Sequence, residues 1–244
     1  MTDPRAQFPD LTKPDEAIRL DALARQAQWG CRPWGRPHGD GWGMMLLTPS
    51  GWFYSRCDHP IWKSQLDRLS DFEASCGLIH CRLASPDTPV NITKVHPFCA
   101  VVGGASVAFA HNGTIRNVSA LPPAANTGLP PDAIDTEFYF AHVRQRLGEG
   151  QADDEALRGT VTFLTGAGAD ASSLNALMLR GDTLSAIKGP IDGEYRHYYT
   201  LYVHTRDDAV VVSTEPLAGW GKGELLNGTI VARQGQITAQ RPLK

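Results

Sequence analysis

The chain has 244 residues, with 23 basic against 26 acidic side chains and 42% hydrophobic residues, enough to bury a sizeable core. Near balance of charge, with a pI near 6.2, leaves no electrostatic footprint for nucleic acid or an anionic membrane, so the expected partners are small molecules or other proteins. Five cysteines, an odd number without paired spacing, read as reduced thiols, and the lack of a signal-type or membrane-length apolar run predicts a cytoplasmic protein.

In chain order, a helix is predicted over 14–28, where a proline at a first turn precedes Ile18, Ala22 and Leu23 on one face. The glycine-rich loop GRPHGDGWG follows, then strands MMLLT and GWFYS joined by Pro49-Ser50-Gly51 as a hairpin. IWKSQLDRLSDFEA has helical spacing and leads into CGLIHCRLA, a buried strand. CAVVGGASVAFA reads as a second buried strand and ends in HNGTI. Helices are expected from DTEFYFAHVRQRL and DDEALRGTVTFL. The last third is nearly all strand: LNALMLRGD with TLSAIKG, YYTLYVHTRDDAVVVST with an Asp-Asp turn, and TIVARQGQITAQ with a Gln-Gly turn. This order suggests two sheets with helices packed against them. The proline-bearing stretch at 121–133 is a loop inside a patterned chain, so 1–244 reads as one domain.

Several polar residues stand where the pattern predicts core or its edge. Asn112-Gly113 is a strong turn signal, and equally a carboxamide and a bare N–H that could serve as two donors to an oxyanion. Arg82 ends an apolar run, where it is either a surface arginine at a strand end or a guanidinium awaiting an anion. Asp135 stands at a helix start, the usual place of a capping carboxylate. HGDGWGM lacks the spacing of a phosphate loop and reads as a tight turn. Cys76, His80, Cys81, His96 and Cys99 fall close together, but adjacent His80 and Cys81 point to opposite faces of a strand, which argues against zinc. No cofactor is expected. A Ser-His-Asp hydrolase lacks its G-x-S-x-G elbow here.

Taken together, HGDGWGM, LIHCRLAS, VHPF with AFAHNGTI, DTE at a helix start and VVVSTEPL resemble, in order and spacing, the class II glutamine amidotransferase domain of the N-terminal nucleophile hydrolases, most of all its small stand-alone bacterial branch. The resemblance covers nearly the whole chain. It implies an α+β fold, an αββα four-layer sandwich of two stacked antiparallel sheets flanked by helices. It also implies that Arg82 binds the glutamine α-carboxylate, Asp135 the α-amino group, and that Asn112 and Gly113 form the oxyanion hole.

One departure matters for activity. The family's nucleophile is a cysteine at mature position one, whose α-amine is the base, whereas this sequence reads Met1-Thr2-Asp3-Pro4 and its first cysteine is Cys31. TDPRAQFPDL, with two prolines, is a poor central strand. Three accounts remain: a degenerate or regulatory domain that keeps the pocket for glutamine or a γ-glutamyl-like group; catalysis by Thr2 after removal of Met1; or a cysteine-bearing strand upstream of the given start. The first is adopted, and it overlaps with a scaffold subunit that serves a synthetase partner.

Overall fold

The computed structural model of the chain describes residues 20–30, 35–66, 73–125, 128–191, 196–206, 208–217 and 219–243. Helix α1 (Leu20–Trp29) covers the later part of the first predicted helix. The hairpin β1 (Trp42–Thr48) and β2 (Gly51–Cys57) follows, with β3 (Cys76–Cys81) antiparallel to β1 on its other side. Trp42 and Gly43, expected in the loop, open the first strand. Of the helix expected at 61–74 the described residues show the 3-10 turn Ile61–Lys63 and 3-10 backbone again at Leu66, and 67–72 lie outside them.

The apolar run before HNGTI is two strands rather than one. Gly103 and Gly104 both have positive φ, 58° and 79°, and the pairing of Val102 with Ala105 closes a two-residue turn between β4 (Phe98–Val102) and β5 (Ala105–Asn112). Glycine tolerates two consecutive left-handed residues, as this hairpin turn requires. Helices α2 (Asp135–Gly148) and α3 (Asp153–Gly166) come next. The remaining strands are β6 (Asn175–Arg180), β7 (Thr183–Ile187), β8 (Tyr202–Arg206), β9 (Ala209–Ser213), β10 (Glu224–Leu225), β11 (Thr229–Arg233) and β12 (Gln236–Arg241). Gln234 and Gly235, φ 49° and 71°, make the expected Gln-Gly turn.

Among the described residues the antiparallel order β12-β11-β7-β6-β5-β4 forms one six-stranded sheet, while β2-β1-β3 and β10-β8-β9 form two three-stranded sheets. Alternation along β5 stacks these layers. Val107 and Phe109 join the core under α2 and α3, whereas Ala108 and Ala110 face Met45 and Leu78 of the smaller sheet. Phe109 anchors α2: its ring lies parallel to Phe140 at 5.1 Å and edge-on to Tyr139 at 5.1 Å, and burying such a side chain stabilises by about 2–3 kcal/mol. Leu201, Val203 and Leu226 pack on Ala186 and Ile230 in the same manner. On the outer face of the first small sheet, Ala24 and Ala27 of α1 cover Trp42 and Met44. The layers therefore run helix, split sheet, six-stranded sheet, helix pair: the αββα sandwich that the resemblance implied. No described helix is long and apolar enough to cross a membrane.

Candidate active site

β5 ends at Asn112, paired with Asn175 of β6. Beyond it the chain runs beside 170–173: Ser172 N–H donates to the Thr114 carbonyl at 2.9 Å, Thr114 N–H to Ser172 Oγ at 3.0 Å, and Arg116 N–H to the Asp170 carbonyl at 2.8 Å. A Cβ at Gly113 would collide with the carbonyl of Ser173, so glycine is needed for this close approach. Asn112 and Gly113 are half-buried at the edge of a cleft of about 890 Å³. Among the described residues no acceptor takes a hydrogen bond from the Asn112 carboxamide.

Arg82 and Asp135 line the same cleft. Arg82 follows β3 directly and is 3% exposed. Its backbone is braced by the glycine-rich loop: Arg82 N–H donates to the Gly41 carbonyl at 2.8 Å, Asp40 N–H donates to the Arg82 carbonyl at 3.0 Å, and Asp40 Oδ2 accepts from Ala84 N–H at 2.9 Å. That is the work of HGDGWGM here: Asp40 clamps the strand end, and at Gly43 a Cβ would run into the His96 carbonyl. Among the described residues the guanidinium donates once, from Nη1 to the Pro89 carbonyl at 3.0 Å, which leaves most of its donor fork for a ligand. Burial works against its charge, and Asp40 and Asp135 support it.

Asp135 is the first residue of α2 and not its cap, which is Ile134. The helix start is held by Glu137 instead, whose Oε2 accepts from Ile134 N–H at 2.9 Å and from Lys94 Nζ at 2.9 Å. Lys94, almost fully buried, also pairs with Asp132 at 3.1 Å. Freed from capping, Asp135 reaches across: Oδ2 accepts from Ile115 N–H at 2.8 Å, and Oδ1 from its neighbour Thr136 N–H at 2.9 Å. Both oxygens keep accepting capacity for an ammonium.

Beneath these groups lies a polar network that the sequence pattern flagged only in part: His80 and His96 stood out as candidate zinc ligands, His111 and Thr136 did not. His111 Nε2 lies 2.9 Å from the Ser173 carbonyl, which can only accept, so Nε2 carries the proton. Nδ1 then accepts from the Thr136 hydroxyl at 3.4 Å, and Thr136 Oγ1 accepts from His96 Nε2 at 2.9 Å. Burial lowers the pKa of both histidines below the ordinary value; that of His80, whose ring sits 4.4 Å from that of His96, is lowered by burial to about 3. All three are neutral near pH 7. Their signal was present in the motifs: His96 lies within VHPF, and His111 and Thr136 stand beside residues assigned a role, before Asn112 and after Asp135.

Among the described residues no group of three His, Cys, Asp or Glu could hold a metal ion. Of the described cysteines Cys81 alone borders the cleft, and burial pushes its thiol up to about 12, the reverse of what an attacking thiolate needs. Ser85 and Thr114 pair with each other at 2.5 Å. Thr2 and Cys31 lie outside the described residues.

No curated protein matches the sequence. Among solved structures, a predicted glutamine amidotransferase from Pseudomonas aeruginosa PA01 is similar with a TM-score of 0.57 at 19% identity, over 86% of this chain and 91% of that one. A class II glutamine aminotransferase domain protein from Silicibacter pomeroyi gives 0.58 at 18% identity, over 84% and 92%. The glutamine phosphoribosylpyrophosphate amidotransferase of B. subtilis gives 0.59 at 14% identity, over 83% of this chain but 43% of that one. At such identities the likeness concerns the fold. Membership comes from the sequence itself: residues 27–190, about two thirds of the chain, match the profile of the class II glutamine amidotransferases, and the chain belongs to that family.

Proposed function

We propose that the cleft binds glutamine, or a γ-glutamyl compound with a free α-amino acid end, and that the described part of the protein serves as a glutamine-recognition domain without an activated nucleophile of its own. Arg82 takes the α-carboxylate and Asp135 the α-ammonium, two opposite charges set apart as the ends of an amino acid are. The Asn112 carboxamide and the Gly113 N–H then face the side-chain carbonyl. The observation that carries this reading is the shared cleft: a buried guanidinium with spare donors, a carboxylate held by two backbone N–H groups and an uncommitted carboxamide line it together. Two such charges without a ligand would gain nothing for their desolvation.

Degeneracy is favoured over turnover because the thiol bordering the cleft is held protonated. Regulation of a synthetase partner by glutamine occupancy is the role that fits a pocket of this kind. Calorimetric titration tests the reading. Glutamine should give a saturable heat, with affinity reduced by about 2–3 kcal/mol in Arg82→Ala and in Asp135→Asn, and ammonia release should be slow. Heats absent in the unmodified protein, or unchanged in both variants, would defeat the binding claim. Rapid ammonia release, at the roughly 1–1000 per second ordinary for enzymes, would defeat degeneracy, and its loss in Thr2→Ala would identify the nucleophile.

A further inference from the structure

One imidazole touches both halves of the cleft. The side chain of His111, fully buried near the end of β5, donates from Nε2 to the Ser173 carbonyl at 2.9 Å, the carbonyl that a Cβ at Gly113 would strike. Nδ1 accepts from the Thr136 hydroxyl at 3.4 Å and lies 3.8 Å from Asp135 Oδ2. Among the described residues His111 is the only basic side chain within ion-pair distance of Asp135. Because Nε2 already carries a proton, the next one enters the ring at Nδ1, on the side of Asp135. It also ends a chain of donors: Thr136 Oγ1 accepts from His96 Nε2 at 2.9 Å and gives its own proton to Nδ1, and a protonated Nδ1 has no lone pair to receive it.

We propose that Asp135 is shared between two cations, the α-ammonium of the ligand and a His111 imidazolium protonated at Nδ1, so that a proton on His111 and an amino acid in the cleft oppose one another. This role rests on the glutamine reading and adds regulation by pH to it. The groups facing the ring fix the sign. From β3 comes His80 and from its exit Arg82, from the stretch before β4 His96, and from α2 Asp135, Thr136 and Tyr139, whose ring stands edge-on at 5.2 Å and whose phenol burial keeps protonated. Of these Asp135 carries the negative charge. Burial lowers the pKa of His111, and Asp135 opposes that fall. An ammonium on Asp135 cancels the support, so the His111 proton is held less firmly in the complex. Between the free and bound values each ligand that binds releases a proton, and affinity falls as pH falls; by linkage proton and ligand weaken one another by the same factor.

Two measurements on the full chain test the sharing. Glutamine is titrated calorimetrically between about pH 7 and 5, where its α-ammonium and α-carboxylate keep their charges, into the unmodified protein and into His111→Gln, which retains a donor for the Ser173 carbonyl and does not titrate. Proton NMR follows the titration midpoint of His111 in the unmodified protein and in Asp135→Asn. Affinity in the unmodified protein should fall about threefold or more over this range, below the ceiling of about tenfold per pH unit for one linked proton, and should change less than about twofold in His111→Gln. The His111 midpoint should move to lower pH in Asp135→Asn. Affinity independent of pH in the unmodified protein, an equal fall in His111→Gln, or a His111 midpoint unmoved in Asp135→Asn would each overturn the inference, and the first two would leave glutamine recognition intact. No heat at any pH would defeat the glutamine reading, and the midpoint in Asp135→Asn would then decide by itself whether Asp135 holds the His111 proton.

Discussion

The two sheets of this sandwich are built to different standards. The six-stranded sheet is a continuous antiparallel sheet, with one register shift between Val231 and Ala232 where β11 meets β12, and it carries α2 and α3 on its outer face over a core that includes Phe109, Tyr139 and Phe140. Among the described residues the layer opposite is divided into two three-stranded pieces, with a cavity between their edges. The site draws on both. Asn112, Gly113 and Asp135 come from the end of β5 and the start of α2, where ladder, helix and buried network fix them. Arg82 comes from the exit of an edge strand and depends on the Asp40 loop for its place. A group on the intact side is thus positioned by packing, and the one on the split side by a few named hydrogen bonds.

The largest test of that contrast is Gly113→Ala. The new Cβ meets a backbone carbonyl, which no rotamer relieves, so a stability loss of about 3 kcal/mol is expected from chemical denaturation. A loss under about 0.5 kcal/mol, the range of ordinary surface substitutions, would show that the loop facing 170–173 yields more readily than its close contacts indicate.

Acid should attack the intact side next. The folded-state values of His96 and His111 lie below their ordinary 6.5 because both are buried, so the unfolded chain takes up protons first. Their contribution is complete above the unfolded-state range and is lost as pH falls toward the folded-state values, by at most about 1 kcal/mol for each between pH 6.5 and 5.5. Urea midpoints at the two pH values measure it, and equal midpoints would mean that the histidines titrate freely in the fold.

On the split side, Asp40→Ala removes the acceptor for Ala84 N–H and should weaken glutamine binding by about 1.5 kcal/mol while costing little stability. Restored affinity in Asp40→Asn, which keeps an acceptor, would distinguish positioning from general damage. The smallest expected effect is that of Gly104→Ala, at the far end of β5 from Asn112. Its φ of 79° with open space around it predicts a penalty of about 1 kcal/mol from backbone strain alone, with glutamine affinity unchanged.

Much of this was legible in the sequence where local chemistry decides the outcome. The late hairpins carried their turn residues, α2 and α3 their spacing, and five short motifs in order named the family. The misreadings arose where contacts distant in sequence compete with local pattern. Trp42 and Gly43 look like loop until paired with Cys57, Cys81, Arg56 and His80. Asp135 looks like a cap until Glu137 is seen in that service and Asp135 bound to Ile115. The division of CAVVGGASVAFA was written in its two glycines, and the length of the apolar run masked it. The division of the second layer among the described residues has no local signature at all, because it arises from which of their strands do not pair.

The central claim is that four residues form one glutamine cleft, and a structure of the full chain with glutamine bound tests it most directly. The account predicts the α-carboxylate on the Arg82 guanidinium, the α-ammonium on Asp135, and the side-chain carbonyl oxygen within hydrogen-bond reach of the Asn112 carboxamide and the Gly113 N–H. Glutamine seated elsewhere, or in this cleft with its α-amino acid end turned away from Arg82 and Asp135, would contradict it.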